Sequence, residues 1–172
     1  MKKQLVAIAT CITLAWGAAA QENHLNFGIG ISGWGIPIYA SYDFNVAKNL
    51  NVIVGASYQT KTESYSVPGY SYKWRNDILA FRGGVQYYFD ELLNLDDKFD
   101  VYGIGVLSYY VWNQTYEGPG NAPVYTGSGD GGIGIGLGAG GRWHFSDKWS
   151  LNLELGGGNV MSGVLFGVSL AM

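Results

Sequence analysis

Asp43, Arg82, Arg142 and Glu154 make the strongest chemical demands of any residues in this chain. Each stands among glycine, serine or asparagine on the small, polar side of a segment whose other side is apolar. Two acids and two bases on such faces would meet inside a closed structure, and a buried charge there needs a partner. The set reads either as a salt-bridge network or as a gated ion path. His24 and His144, the two histidines, support less. A zinc site needs three or four ligands. A serine hydrolase needs a base beside its nucleophile. Ser146 follows His144 by two positions with only Asp147 as an acid nearby, and that stretch reads as a turn. No catalytic, metal or cofactor site is expected.

Gly132 to Gly138 alternates glycine with Ile133, Ile135 and Leu137. A phosphate loop would pass from a strand into a helix amino terminus. Strict alternation instead reads as a strand with one smooth face, leaving room for Tyr102, Ile104 or the arginines. Asn113-Gln-Thr115 matches a glycosylation sequon and is read as chance.

The elements that must position these residues repeat with a period of two, the strand signature. Eight strands are predicted: Leu25–Ser32, Ile36–Phe44, Leu50–Gln59, Leu79–Phe89, Phe99–Trp112, Ile133–Phe145, Trp149–Gly156 and Val164–Met172. The fifth has large residues on both faces, so its register stays open. Connections alternate in character. Asn45–Asn49, Asp90–Lys98 and Ser146–Lys148 are compact and polar, the second with a helical turn around Leu92, Leu93 and Leu95. Gly33–Gly35, Thr60–Asn76, Gln114–Asp130 and Gly157–Gly163 join the opposite ends, and two of them are long.

The apolar face points to lipid on three grounds. An eight-stranded barrel has room inside only for side chains, and the small residues with a few charges fill that space. Aromatics gather at strand ends, with Tyr42, Phe44, Tyr87, Phe89, Phe99, Trp143, Phe145 and Trp149 at one rim and Trp34, Tyr58, Tyr109 and Trp112 at the other. Strand lengths suit a tilted span. With so little lumen, the charged set reads as a plug.

Residues 1–20 read as a signal peptide: Lys2 and Lys3, an apolar run from Leu5 to Trp16, then Ala18, Ala19 and Ala20 before Gln21. Residues 21–172 form one domain. Cleavage would remove Cys11, the sole cysteine, leaving no thiol to oxidise. It would also remove two lysines and no acid, taking the net charge from −3 to −5. No basic run points to nucleic acid.

With this pattern, phrases such as Phe99-Asp-Val-Tyr-Gly and Arg142-Trp-His-Phe, and an apolar final strand, the chain resembles the small eight-stranded outer-membrane barrels of the OmpX and OmpA-transmembrane-domain class. The resemblance spans residues 24–172 and implies an all-β, antiparallel, up-and-down transmembrane barrel in a bacterial outer membrane. It implies outer-membrane lipid and lipopolysaccharide as surroundings and the barrel assembly machinery as a partner during insertion. Met172 replaces the terminal aromatic usual in that class. Members that modify lipid A carry a His–Ser pair at the outer rim, whereas His24 and His144 fall at the other end.

The long loops are the candidates for interaction. Thr60–Asn76 holds Tyr65, Tyr70, Tyr72, Lys73, Trp74 and Arg75, and Gln114–Asp130 holds Tyr116 and Tyr125. Tyrosine-rich segments on a rigid scaffold suit binding. The same alternation also suits a hairpin extended above the membrane. Lys61, Lys73 and Arg75 could meet lipopolysaccharide phosphates, and an exposed strand edge could pair with an envelope or host protein. The expectation is a non-enzymatic barrel acting in surface interaction or envelope maintenance. A small-solute or ion pore, a lipid A-modifying enzyme and a soluble ligand-binding barrel are the alternatives.

Overall fold

The computed structural model describes residues 22–67, 70–117, 125–128, 131–159 and 162–172. The expected signal peptide, Cys11 and Gln21 lie outside the described residues. The strands are β1 His24–Ser32, β2 Ile38–Ala47, β3 Leu50–Val67, β4 Tyr70–Tyr88, β5 Phe99–Glu117, β6 Tyr125–Ser128, β7 Gly132–His144, β8 Trp149–Gly158 and β9 Gly163–Ala171, with one helical turn, α1, at Asp90–Leu93.

Neighbours in sequence pair antiparallel, and β9 returns to β1 from His24↔Ala171 to Ser32↔Gly163. This closes a barrel of eight strands, β1–β5 and β7–β9, in up-and-down order. The short β6 is extra. It pairs with Asn113–Tyr116 of β5, while β7 pairs with Phe99–Tyr110 of the same strand. Closure leaves the barrel without an unpaired backbone edge, the condition for strands to cross a membrane.

Side chains are distributed inside out. Ile31 and Leu137, on the outer face, are 71% and 72% exposed, whereas Asp43, Asn51 and Gln86 inside are 0% exposed. So large an apolar exterior suits hydrocarbon and not water. Outward aromatics pair at the short-turn rim: Tyr42 with Phe44, Tyr87 with Phe89 and Trp143 with Phe145.

Four expectations need correcting. Thr60–Asn76 is not an open loop. The β3–β4 ladder runs unbroken through Thr60↔Asp77 to Val67↔Tyr70, and β5 follows β4 up to Lys73↔Glu117. Strands of 18, 19 and 19 residues result, about twice the 9–11 that a tilted span requires. Gln114–Asp130 likewise holds the end of β5 and all of β6. The second strand starts at Ile38, after Pro37, because proline has no N–H for the ladder. Trp112 does not join the outer rim. The register of β5 sends its even-numbered residues inward, and Trp112 stacks edge-on against Trp34 at 5.7 Å.

Candidate functional site

The lumen is filled by two linked ionic clusters. Near the short-turn end, β7 directs Arg142 inward, where its side chain is 1% exposed. Its Nη2 donates to Asp43 Oδ2 of β2 at 2.7 Å, and its Nη1 donates to Tyr88 Oη of β4 at 2.9 Å. Nη1 is also 3.5 Å from Asp100 Oδ2 of β5 and 3.4 Å from His24 Nδ1 of β1. The guanidinium carbon lies 5.6 Å from the Tyr102 ring centre. Asp100 Oδ2 meets His144 Nε2 at 2.9 Å, and the two histidine rings come within 6.0 Å.

One level higher, Arg82 Nη1 donates to Glu154 Oε2 at 2.9 Å, and Tyr102 Oη donates to Glu154 Oε1 at 3.2 Å. Neutral groups tie the clusters together. Tyr39 Oη donates to Asn152 Oδ1 at 2.6 Å, Asn152 Nδ2 to Ser169 Oγ at 2.7 Å, and Ser169 Oγ to Asn26 Oδ1 at 2.5 Å. Asn26 Nδ2 reaches Ser41 Oγ at 3.3 Å. Above this layer Ile104, Val106 and Leu165 border a cavity of about 60 Å³. At the long-hairpin mouth Asn76 Oδ1 accepts from Trp112 Nε1 and Gln114 Nε2 at 3.2 and 3.1 Å.

Glycine makes this packing possible. A Cβ at Gly140 would collide with the Tyr102 ring, and one at Gly132 with Tyr110.

Ser146 Oγ accepts from the Trp149 N–H at 3.0 Å. Among the described residues no group of three or more His, Cys, Asp or Glu could hold a metal ion.

Beyond the barrel, β3, β4, β5 and β6 continue as a four-stranded sheet. Its face continuous with the lumen carries Tyr72, Trp74 and Tyr116. Tyr116 lies 4.8 Å from Trp74 and 6.0 Å from Tyr72, ring centre to ring centre. The register sets Tyr65 opposite Tyr72 and Tyr125 opposite Tyr116. The side chains of Tyr65, Tyr70 and Tyr125 lie outside the described structure. The opposite face is polar. Lys73 is exposed there, Arg75 Nε pairs with Asp77 Oδ2 at 3.1 Å, and Tyr58 Oη donates to Asp77 Oδ1 at 2.8 Å. On the aromatic face, in register with Asn76 and Trp74, Lys61 pairs with Glu63 at 2.9 Å.

No family model matches this chain, and no curated protein is significantly similar to it. Solved structures are. A major outer membrane protein from Thermus thermophilus superposes with a TM-score of 0.63 at 16% identity, over 90% of this chain and 100% of that one. Ail, the attachment invasion locus protein of Yersinia pestis, gives 0.55 at 7% identity, over 87% and 96% of the two chains. The N-terminal β-barrel domain of Pseudomonas aeruginosa OprF gives 0.55 at 11% identity, over 88% and 97%. The chain has the fold of the small eight-stranded outer-membrane barrels.

Within this barrel the structure brings Arg142 to Asp43 and Arg82 to Glu154. Sequence reasoning missed Asp100, Tyr88, Tyr39, Asn26, Asn152 and Ser169 as members of the network. Asp100 and Tyr102 share the inward face of β5, the strand whose parity was left open. The polar residues were assigned to the inner face without partners, because nothing in one sequence states which strands face each other across a lumen.

Proposed function

We propose that this chain is a non-enzymatic integral protein of a bacterial outer membrane, exported by the signal peptide at residues 1–20 and inserted by the barrel assembly machinery. Its role is surface interaction or envelope maintenance through the projecting sheet. The contact is an envelope protein, a host surface or lipopolysaccharide. The observation that carries this reading is the contrast between a lumen filled by buried ion pairs and a four-stranded sheet that continues well beyond the membrane span. A sheet presenting aromatics with the Lys61–Glu63 pair on one face and Lys73 and Arg75 on the other supplies what protein and lipopolysaccharide contacts use. Ail, named for attachment and invasion and solved with a heparin analogue, shares the fold, which supports a surface role. Short turns at one end and long hairpins at the other support placing the hairpins outside the cell.

The test replaces Thr60–Asn76 and Gln114–Asp130 with short turns. Cells carrying either form are then compared for adherence to host-matrix surfaces and for envelope proteins recovered by crosslinking. Loss of both with an intact barrel is expected, and unchanged binding overturns the reading. The pore reading has one supporting observation, a wide opening into the lumen at the short-turn end. Purified barrel in planar bilayers is expected to be silent, and steady channels of defined conductance would replace the plug with a pore.

A further inference from the structure

The mouth at the long-hairpin end holds a cavity of about 100 Å³, separate from the charged lumen network. This is several times the space that one water molecule needs. Its walls are aromatic. Trp34, in the turn after β1, meets Trp112 of β5 at 5.7 Å between ring centres and 69° between planes. Tyr110, two positions before Trp112 on the same inward face, adds a third ring, and Ile78 and Ala80 of β4 add aliphatic surface. The bond from Trp112 Nε1 to Asn76 Oδ1 at 3.2 Å fixes the second indole. Trp34 stays 47% exposed, a large aromatic surface at an opening and not in a core.

Unused hydrogen-bonding groups accompany these rings. Gln59 lines the cavity with only 9% of its surface exposed. Its Oε1 accepts from Ser32 Oγ at 3.0 Å, and Ser32 Oγ accepts from the Trp34 N–H at 3.2 Å. The amide is thereby held against the turn that carries Trp34. Its Nε2 has no partner among the described residues and, unlike the amide of Gln86 deeper in the lumen, is not sealed from solvent. Asn159 repeats the arrangement. Its Oδ1 accepts from the Ile135 N–H at 2.8 Å, and Nδ2 has no partner among the described residues. Ser57 Oγ and Tyr110 Oη line the same space without a hydrogen bond among the described residues. No lining residue is charged. An apolar ligand would leave both amides unpaired, and an ionic one would bring a charge with nothing in the lining to compensate it.

We propose that this cavity binds one neutral pyranose unit of a surface glycan. The C–H face of the sugar packs on Trp34 and Trp112. Its hydroxyls accept from Gln59 Nε2 and Asn159 Nδ2 and exchange hydrogen bonds with Ser57 and Tyr110. The assignment rests on the surface role, because only a mouth that opens outside the cell meets glycans. It names a ligand class for that role and a site at the root of the projecting sheet.

The test uses the full mature chain in a detergent without a sugar head group. The probe is methyl β-D-galactopyranoside, whose axial C–H atoms cluster on one face. Saturable binding with a Kd of about 1 mM is expected for a ligand of this size. Cyclohexanol, a ring without the hydroxyl rim, and methyl β-D-galacturonoside, the same sugar with a carboxylate, should each bind about tenfold more weakly or worse. Trp34→Ala and Gln59→Leu should each weaken the galactoside about tenfold. In the unaltered protein the sugar should shift the indole N–H signals of Trp34 and Trp112 and leave those of Trp143 and Trp149 at the far rim in place, a readout that needs no variant. Displacement of the probe by polysaccharide cleaved from the producing cell's lipopolysaccharide identifies one source of the unit, and displacement by neutral glycans released from host glycoproteins identifies the other. Equal binding of cyclohexanol, unmoved Trp34 and Trp112 signals, or displacement by neither glycan overturns the proposal. Adherence lost on trimming the hairpins, with no sugar bound by the intact chain, overturns this site and leaves the surface role standing. Sugar bound with adherence unchanged by trimming does the reverse.

Discussion

β3, β4 and β5 pass through two regions that share one hydrogen-bond ladder and differ in almost everything else. Up to the row where Tyr58 faces Leu79, β3 has β2 on its other side and the barrel closes around its inward side chains. Ile53, Asn51 and Gln86 are there 0% exposed. Beyond that row the β2 ladder stops, and from Gln59 on β3 is an edge strand among the described residues. The edge carries Lys61 and Glu63, charges of the kind that discourage indiscriminate strand pairing. Closure, and not backbone pairing, therefore separates the regions. Inside, side chains are fixed by one another. Outside, the ladder is held by cross-strand contacts such as Trp74 with Tyr116.

The sharpest way to break this comparison is to empty the lumen of one charge. Arg142→Met leaves Asp43 and Asp100 without their guanidinium and should cost about 3–5 kcal/mol of unfolding free energy, read by urea titration in vesicles. The double variant with Asp43→Asn should recover part of it. A loss below about 1 kcal/mol would mean that the lumen is not where stability resides. Next in size, Gly140→Ala drives a methyl group into the Tyr102 ring and should cost about 1–3 kcal/mol by overpacking. Gly157→Ala, with nothing within 4 Å of the added atom, is the matched control and should be close to neutral in the same titration. In the projecting sheet, Trp74→Ala removes one aromatic contact and should cost about 0.5–1.5 kcal/mol. Tyrosine fluorescence should report this as local loosening with the barrel still closed, and global unfolding would erase the distinction between the regions. The smallest effect is expected on the short-turn surface. The hydrogen bond from Lys48 holds the Glu91 carboxyl below its ordinary range. A native value below the unfolded one contributes stability at neutral pH that fades as pH falls through the carboxylate range. Acid titration of Glu91→Gln should therefore lack this small component of the decline, most visibly at low salt.

The architecture was legible because period-two alternation leaves little freedom once one face is apolar. Seven of the eight barrel strands had one small or polar face, and their inward residues followed directly. β5 was the exception. Val101, Leu107 and Tyr109 on one side and Tyr102, Ile104 and Tyr110 on the other are all large, so parity alone could not choose. The choice depends on β7, whose glycines accept the bulk of Tyr102, Val106 and Tyr110. That information is tertiary. The same gap concealed Asp100 and the meeting of the two histidines. The hairpin Thr60–Asn76 was legible as a composition but not as a ladder, since Tyr72 and Trp74 gain their strand preference from Tyr116, more than 40 positions away.

Arg142 reaches from β7 to His24 on β1, Asp43 on β2, Tyr88 on β4 and Asp100 on β5. Asp43 and His24 are separated from it by 99 and 118 positions. In a growing sheet holding only the first strands Asp43 lacks Arg142, and in the last strands alone Arg142 lacks Asp43. One side chain thus works as a clasp between the two ends of the chain. Its contacts are complete only when both ends of the sheet are present and the ring is closed.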